Sequence, residues 1–411
     1  MAVTPERRAG LGTNQEAARR HNLGTVLRYV HGAGQMSRAE LTTLMGLNRS
    51  TIADLVGELE SLGVVEQALP LTARSGAGRP SAQVRLADVG PYVVAVDLGV
   101  DRAVVARVAL GGEIVERATM PIPGDASEAW QVGSAVAGLI RDVVEGAPSA
   151  APLIGVGISV PGMVRRSDGL VRLAPNLGWQ DVSFGSILLA ALGVDIPVQT
   201  ANDADLGALA EHRRGVGVGV DDLIYISGHV GVGAGVITGG VRLEGAGGYA
   251  GEVGHLPFAP KGRTCHCGSR GCWETEVGAH AIAKAIGCVE SDAVNLGRIL
   301  ENYAGSRSAL GAPGKALGHG VAAIVNAFNP RVLVLGGYLS SLYTLVRPEV
   351  DAALAERALP APLESVTLCL PGLGADSPLL GAAEIALEPL FVDPVAALGT
   401  ALHDVGARLA G

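Results

Sequence analysis

At 411 residues the chain is too long for one ordinary domain, so two or three are expected, and its 48% hydrophobic share comes mostly from alanine, valine and leucine, with aromatics only 3%. No run approaches the ~18–20 apolar residues of a membrane helix, and Arg7-Arg8 and Arg19-Arg20 have no apolar stretch behind them, which is not the pattern of a signal peptide. The net charge of −9 argues against nonspecific coating of nucleic acid, but it divides unevenly: residues 1–90 hold ten arginines against eight acids, the rest 21 basic against 32 acidic residues, so a small DNA-reading module with a local basic patch is still allowed.

Residues 15–88 have the order of such a module. Leu23, Val26, Leu27 and Val30 recur at helical spacing and predict a first helix over 15–30. Ser37 caps a short second helix over 38–45, with Glu40 three residues later completing a capping box, and Gly46 ends it. Asn48 caps a third over 49–62 whose buried stripe is Ile52, Leu55, Val56, Leu59 and Leu62; Arg49, Ser50 and Thr51 stand at its exposed start. Two helices joined by a glycine-containing turn, the second opening on polar donors, match helix-turn-helix docking in a major groove. Alternating residues from Val64 and again over 83–86 then predict a two-stranded wing, with Arg74 and Arg79 at a glycine-rich tip suited to a minor groove. The module is read as a winged helix-turn-helix.

From Tyr92 the pattern turns to strands. An apolar run ends in Asp97-Leu-Gly99 and a second strand follows from Ala103; helices near 127–146 and 183–193 alternate with strands near 153–159 and 197–201. A second cycle starts at Leu223, passes the glycine-rich stretch from Gly231, and closes on the strand 332–335 and Gly336-Gly337. Two rounds of strand, glycine turn and strand, each followed by helices, predict a duplicated α/β body over 91–390 with a cleft between lobes, and a C-terminal helical segment over 391–411.

The densest chemistry lies within the second cycle. Cys265, Cys267 and Cys272 fall within eight residues, ten behind His255; this is a Cys₃His tetrahedral set, zinc suits its soft ligands, and four protein ligands make the site structural. His266 is left out because the middle side chain of a tight C-x-C turn points away. Cys288 and Cys369 read as ordinary buried thiols, and thiolate ligands beside unpaired cysteines predict a reducing cytoplasm. The knuckle would tie Glu252 and Glu274 into one volume with His255, and carboxylates with an imidazole suit sugar hydroxyls. Ala250-Gly-Glu-Val-Gly-His255 and Cys265-His-Cys-Gly-Ser-Arg-Gly-Cys-Trp-Glu274 resemble the motifs of the ROK family of repressors, open reading frames and sugar kinases, over roughly 91–390.

That resemblance implies a hexokinase- and actin-like fold, and it implies sugar contacts for Asn176, which follows Pro161-Gly162, and for Asn202-Asp203, whose aspartate is the general base in the kinases. Asn202 and Asp203 also read simply as the cap of a helix over 204–214. The three glycine turns that hold ATP in the kinases depart from pattern: Val100 and Asp101 follow Gly99, Val232 within Gly231–Gly233 replaces a hydroxyl donor, and Tyr338 after Gly336-Gly337 puts a ring where the adenine side needs space. Valine for glycine keeps backbone amides from phosphate, and Asp101 repels it. The expectation is therefore a cytoplasmic, sugar-responsive transcriptional regulator, a repressor of carbohydrate uptake or metabolism genes. Its partners are operator DNA and a monosaccharide, its metal is structural zinc, and it assembles as a homodimer or homotetramer without a membrane. The competing readings are a glucokinase-like ROK sugar kinase with an accessory DNA-binding domain, and a body that senses a protein.

Overall fold

The computed structural model describes residues 15–68, 82–122, 128–401 and 403. The N-terminal module comprises α1 (Gln15–Ala33), β1 (Gln35–Ser37), α2 (Arg38–Met45), α3 (Arg49–Ser61), β2 (Val65–Ala68) and β3 (Gln83–Leu86). Local chemistry sets its boundaries. Ser37 and Glu40 form the reciprocal capping box, Gly46 closes α2 in the left-handed region, and Asn48 caps α3 by accepting from the Thr51 amide. Leu23, Leu27, Leu41, Ile52, Leu55, Leu59 and Val84 are fully or almost fully buried, which is the core the helical spacing marks out. One strand is unanticipated: β1 pairs antiparallel with β3, so the wing sheet has the order β1-β3-β2. Arg74 and Arg79 lie outside the described residues.

The first lobe of the body runs β4 (Tyr92–Leu98), β5 (Arg102–Ala109), β6 (Ile114–Pro121), α4 (Ala129–Glu145) and β7 (Leu153–Val160). A small flap of β8 (Met163–Val164), β9 (Val171–Ala174) and β10 (Trp179–Val182) follows, then α5 (Phe184–Leu192), β11 (Val198–Asn202) and α6 (Asp203–Arg214). The second lobe runs β12 (Leu223–Gly228), β13 (Val232–Thr238), β14 (Val241–Arg242), α7 (Glu274–Val277), α8 (Ala279–Ala285), α9 (Leu296–Glu301), α10 (Gly311–Phe328), β15 (Val332–Gly337), α11 (Tyr338–Arg357), α12 (Pro360–Ser365) and β16 (Thr367–Cys369). α13 (Ser377–Val392) and α14 (Pro394–Thr400) complete the described chain. The sheet orders are β11-β7-β4-β5-β6 and, read from its other edge, β16-β15-β12-β13-β14. Each is an antiparallel meander of three strands to which two later strands add in parallel, so the duplication is real at the level of topology.

Two arrangements matter for the site. α6 packs against β12 and β13 of the second lobe and against α13. And α13, which crosses the boundary expected at 390, also packs on α1: a single apolar cluster runs from Leu27 and Leu55 through Leu387, Leu390 and Phe391 to Val93 and Val108. The N-terminal module is seated on the body rather than tethered beside it.

Candidate ligand pocket and metal centre

A cleft of about 360 Å³ opens between the lobes, and Asn176, Asn202, Asp203, Glu252, His255 and Glu274 all line it. Their origins differ. Asn202 Oδ1 accepts from the amides of Ala204 (2.9 Å) and Asp205 (3.1 Å), while its Nδ2 donates to the Gly162 carbonyl at 3.0 Å. The cap is therefore present at a residue that also lines the cleft, and it fixes the start of α6, so that Asp203 stands at the cleft with only 9% of its surface exposed. Asn176 rides on the 3₁₀ turn Pro175–Leu177 between β9 and β10. Glu252 immediately precedes the turn Val253–His255. Burial raises its carboxyl above the ordinary range, opposed by His255 and reinforced by Asp203 and Glu274. Glu274 does more than face the cleft: its Oε2 accepts from the Val232 amide at 2.9 Å and so braces the start of β13.

The sequence motifs do not single out His229, which also lines the cleft. His229 Nδ1 lies 2.9 Å from Ser227 Oγ and 3.4 Å from Asp203 Oδ2. Burial pulls its pKa down, but the hydrogen bond and charge of Asp203, with the charge of Asp97, outweigh this and raise it. The available signal was an imidazole in a glycine turn between two strands. The cleft thus presents carboxylates, amides and imidazoles, a mixed donor–acceptor set for a polyhydroxylated ligand.

His255, Cys265, Cys267 and Cys272 converge as expected, their four ligand atoms all within 4.8 Å of one another. His255 Nδ1 is 3.7 Å from Cys265 Sγ, and Cys267 Sγ is 3.7 Å from Cys272 Sγ. A tetrahedral ion with bonds near ~2.3 Å sets its ligand atoms roughly 3.8 Å apart, so the donor set fits. His255 Nε2 lies 3.9 Å from Glu252 Oε2, on the side where a carboxylate would orient a ligating imidazole. Burial pushes the Cys265 thiol up to about 12, a cost that a bound cation reverses. Gly271 makes the knuckle possible: its φ is +73° and a Cβ there would sit 1.7 Å from the Ala259 carbonyl oxygen. His266 stands aside against the His280 ring. Cys288 and Cys369, expected to be buried, are half-buried.

Behind Asp203 and His229 lies a second cavity of about 620 Å³, between the segments 97–102 and 293–301. Two of the three turn readings need correction here. Val232 and Gly233 belong to β13, because the strand begins immediately after the hairpin; the turn itself is His229-Val230-Gly231, still without a hydroxyl. Tyr338 borders the cavity but is buried in the core, with its hydroxyl donating to the Val277 carbonyl at 3.0 Å, so its ring does not fill that space. Val100 and Asp101 do line that cavity. Asp97 accepts from Ser159 at 2.7 Å, and burial raises its pKa.

At the start of α3, Arg49 and Ser50 are exposed and Thr51 is half-buried. The Ser50 hydroxyl donates to Asn48 at 2.7 Å, so it supports the cap and Arg49 is the longest group at that surface.

The profile of the ROK family matches residues 93–388. A putative xylose repressor from Caldicellulosiruptor sp. (strain Rt8B.4) is 31% identical over 379 residues, covering 87% of this chain and 93% of that protein. A glucokinase from Halalkalibacterium halodurans (strain ATCC BAA-125 / DSM 18197 / FERM 7344 / JCM 9153 / C-125) is 29% identical over 310 residues, 71% of this chain and 93% of its own length. Among solved structures, a ROK family transcriptional regulator described as a homologue of the E. coli MLC protein superposes with a TM-score of 0.74 at 24% identity, covering 93% of this chain and all of that one.

Proposed function

Since the chain belongs to the ROK family, we propose that it is a sugar-responsive transcriptional repressor whose kinase-like body binds a monosaccharide without phosphorylating it. The observation that carries this reading is the joining, in one chain, of a capped helix-turn-helix to a cleft where all six expected polar residues meet. The repressor alignment spans more residues than 93–388 contains, so it reaches beyond the body, whereas the glucokinase alignment covers 71% of the chain. Asp203 and Glu252 accept sugar hydroxyls, Asn176 and Asn202 orient the ring, and His255 and Glu274 complete the cleft wall. Zinc held by His255, Cys265, Cys267 and Cys272 ties together the loop that presents Glu252 and Glu274. Arg49, Ser50 and Thr51 face the operator's major groove, and Arg74 and Arg79 its minor groove. The DNA-bound form is a homodimer or homotetramer, since two-fold readers meet paired half-sites.

A sugar kinase is the second reading, because the cavity behind Asp203 is open. The phosphate-facing turns argue against it: His229-Val230-Gly231 offers no hydroxyl, and Asp101 adds negative charge. Xylose is the first sugar to try, given the relative's name. We expect purified protein to shift a fragment from its own promoter region, xylose or another monosaccharide to change that shift, and an Asp203→Ala/Glu252→Ala protein to bind the fragment while ignoring the sugar. ATP-dependent sugar phosphorylation by the wild type, without any DNA shift, would move the assignment to the kinase.

A further inference from the structure

α6 has a feature beyond its place in the cleft: its two ends do different work. Its N-terminus carries Asp203 under the Asn202 cap; of its last two residues, Arg213 reaches α13 and Arg214 reaches both α13 and His31 of the N-terminal module. Twelve residues at ~1.5 Å per residue separate the two ends by roughly 18 Å. At the far end, Arg213 donates to Glu384 (2.9 Å) and Glu388 (3.0 Å) on α13. Arg214 donates to Glu384 and to the Gly111 carbonyl, and its guanidinium also meets the His31 ring. His31 belongs to α1. Its Nε2 lies 3.1 Å from Glu384, its Nδ1 accepts from the Gly111 amide at 3.0 Å, and its ring packs on Phe391 with centroids 4.7 Å apart. Arg28, one turn earlier on α1, grips Glu388 at 2.7 Å and lies over the Phe391 ring.

The centre of this cluster is dry. The Glu384 side chain is 2% exposed and that of His31 4%. Burial alone would raise the Glu384 carboxyl; His31, Arg214 and Arg213 instead hold it well below the usual carboxylate range. A buried ion cluster with every partner in place is geometrically demanding, since displacing one member leaves an uncompensated charge. It therefore has few arrangements of low energy, which is the property an element must have to pass a displacement on rather than absorb it.

We propose that Arg213 and Arg214 are positioning residues that couple the ligand cleft to the DNA-reading module, with α6 as the connecting strut. Movement of Asp203 as the lobes close on a ligand is carried along α6 to Glu384, Glu388 and His31, and so changes the seating of α1 on α13. No member of the cluster is among the described residues that line the cleft, so its substitution separates coupling from binding. This inference rests on the sugar-responsive reading above, and goes beyond it by naming where the response crosses between the two parts.

The test measures operator affinity with and without the sugar that shifts the wild type, and sugar affinity by calorimetry, in the full chain. Arg214→Gln is the direct variant, because Arg213 and His31 still face Glu384. Arg28→Gln is its milder companion, since that side chain is 42% exposed. Both are expected to bind sugar as the wild type does and to bind operator without sugar. The sugar-induced change in operator affinity should fall by about tenfold in Arg214→Gln and less in Arg28→Gln, within the span of ordinary coupling factors. Amide exchange over 15–33 should speed up in both variants without sugar, a readout independent of DNA. An unchanged coupling factor in Arg214→Gln with both affinities retained overturns the proposal, and so does unchanged exchange of α1. A wild type that binds no operator instead removes the functional reading on which the proposal rests.

Discussion

Asp205 follows Asp203 on the same helix turn but faces away from the ligand cleft, into the groove between α1 and the body, and its Oδ1 is buried without a hydrogen-bond partner. Burial, opposed by Arg242 and reinforced by Asp203, Glu244 and Glu252, raises its pKa to about 7. Because the folded value lies above the unfolded one, this carboxyl favours folding below about pH 4, and that contribution is lost as pH rises through about 7. Asp205→Asn should therefore be more stable than the wild type at pH 8, by on the order of 2–4 kcal/mol, with the gap closing near pH 4. Urea unfolding at the two pH values checks this, and a gap independent of pH would contradict it.

The knuckle gives a second prediction at the residue scale. Cys272 is 1% exposed and Cys267 Sγ lies 3.7 Å from its sulfur. Cys272→Ser should abolish the metal and weaken sugar binding, since Glu252 and Glu274 both border the same loop, while DNA binding by the N-terminal module suffers less. Metal content by mass spectrometry and sugar titration read both effects; full sugar affinity in the metal-free protein would break the link between knuckle and cleft.

Among the elements, α1 shows how packing reverses a local preference. Gly24 lies inside the helix, where alanine normally stabilises by up to about 1 kcal/mol. A Cβ at this position would sit 2.0 Å from the Phe391 carbonyl oxygen, part of the α13 backbone. Gly24→Ala should therefore destabilise by about 1–3 kcal/mol, and should raise amide exchange along α1 before it affects the second lobe. A gain in thermal stability would show that α1 is not seated as described. α2 and α3 behave in the opposite way. Their caps are local hydrogen bonds between residues two to four apart, so Ser37, Glu40, Gly46 and Asn48 announce both helices in the sequence itself. β1 and the flap β8–β10 do not announce themselves, because strands of two to four residues are too short for a period and exist through their partners.

Over the whole molecule, alternation, caps and the two glycine-punctuated strand cycles carry the fold class, because each depends on neighbours within a few residues. The candidate cleft is legible for a different reason: glycines, carboxylates and thiols are concentrated in short motifs, and Glu252, His255 and Glu274 lie within 23 residues of one another. What required the tertiary structure are the contacts between distant segments. Nothing near His229 in sequence reveals that Asp203 faces it, nor that Tyr338 turns inward to Val277 and leaves the second cavity open. The charge cluster shows this most clearly. Its members come from α1, α6 and α13, separated by up to 360 positions, and each alone reads as an ordinary charged residue on a helix surface. Only the packing of α13 between the N-terminal module and the body buries Glu384, and burial turns those unremarkable charges into obligatory partners.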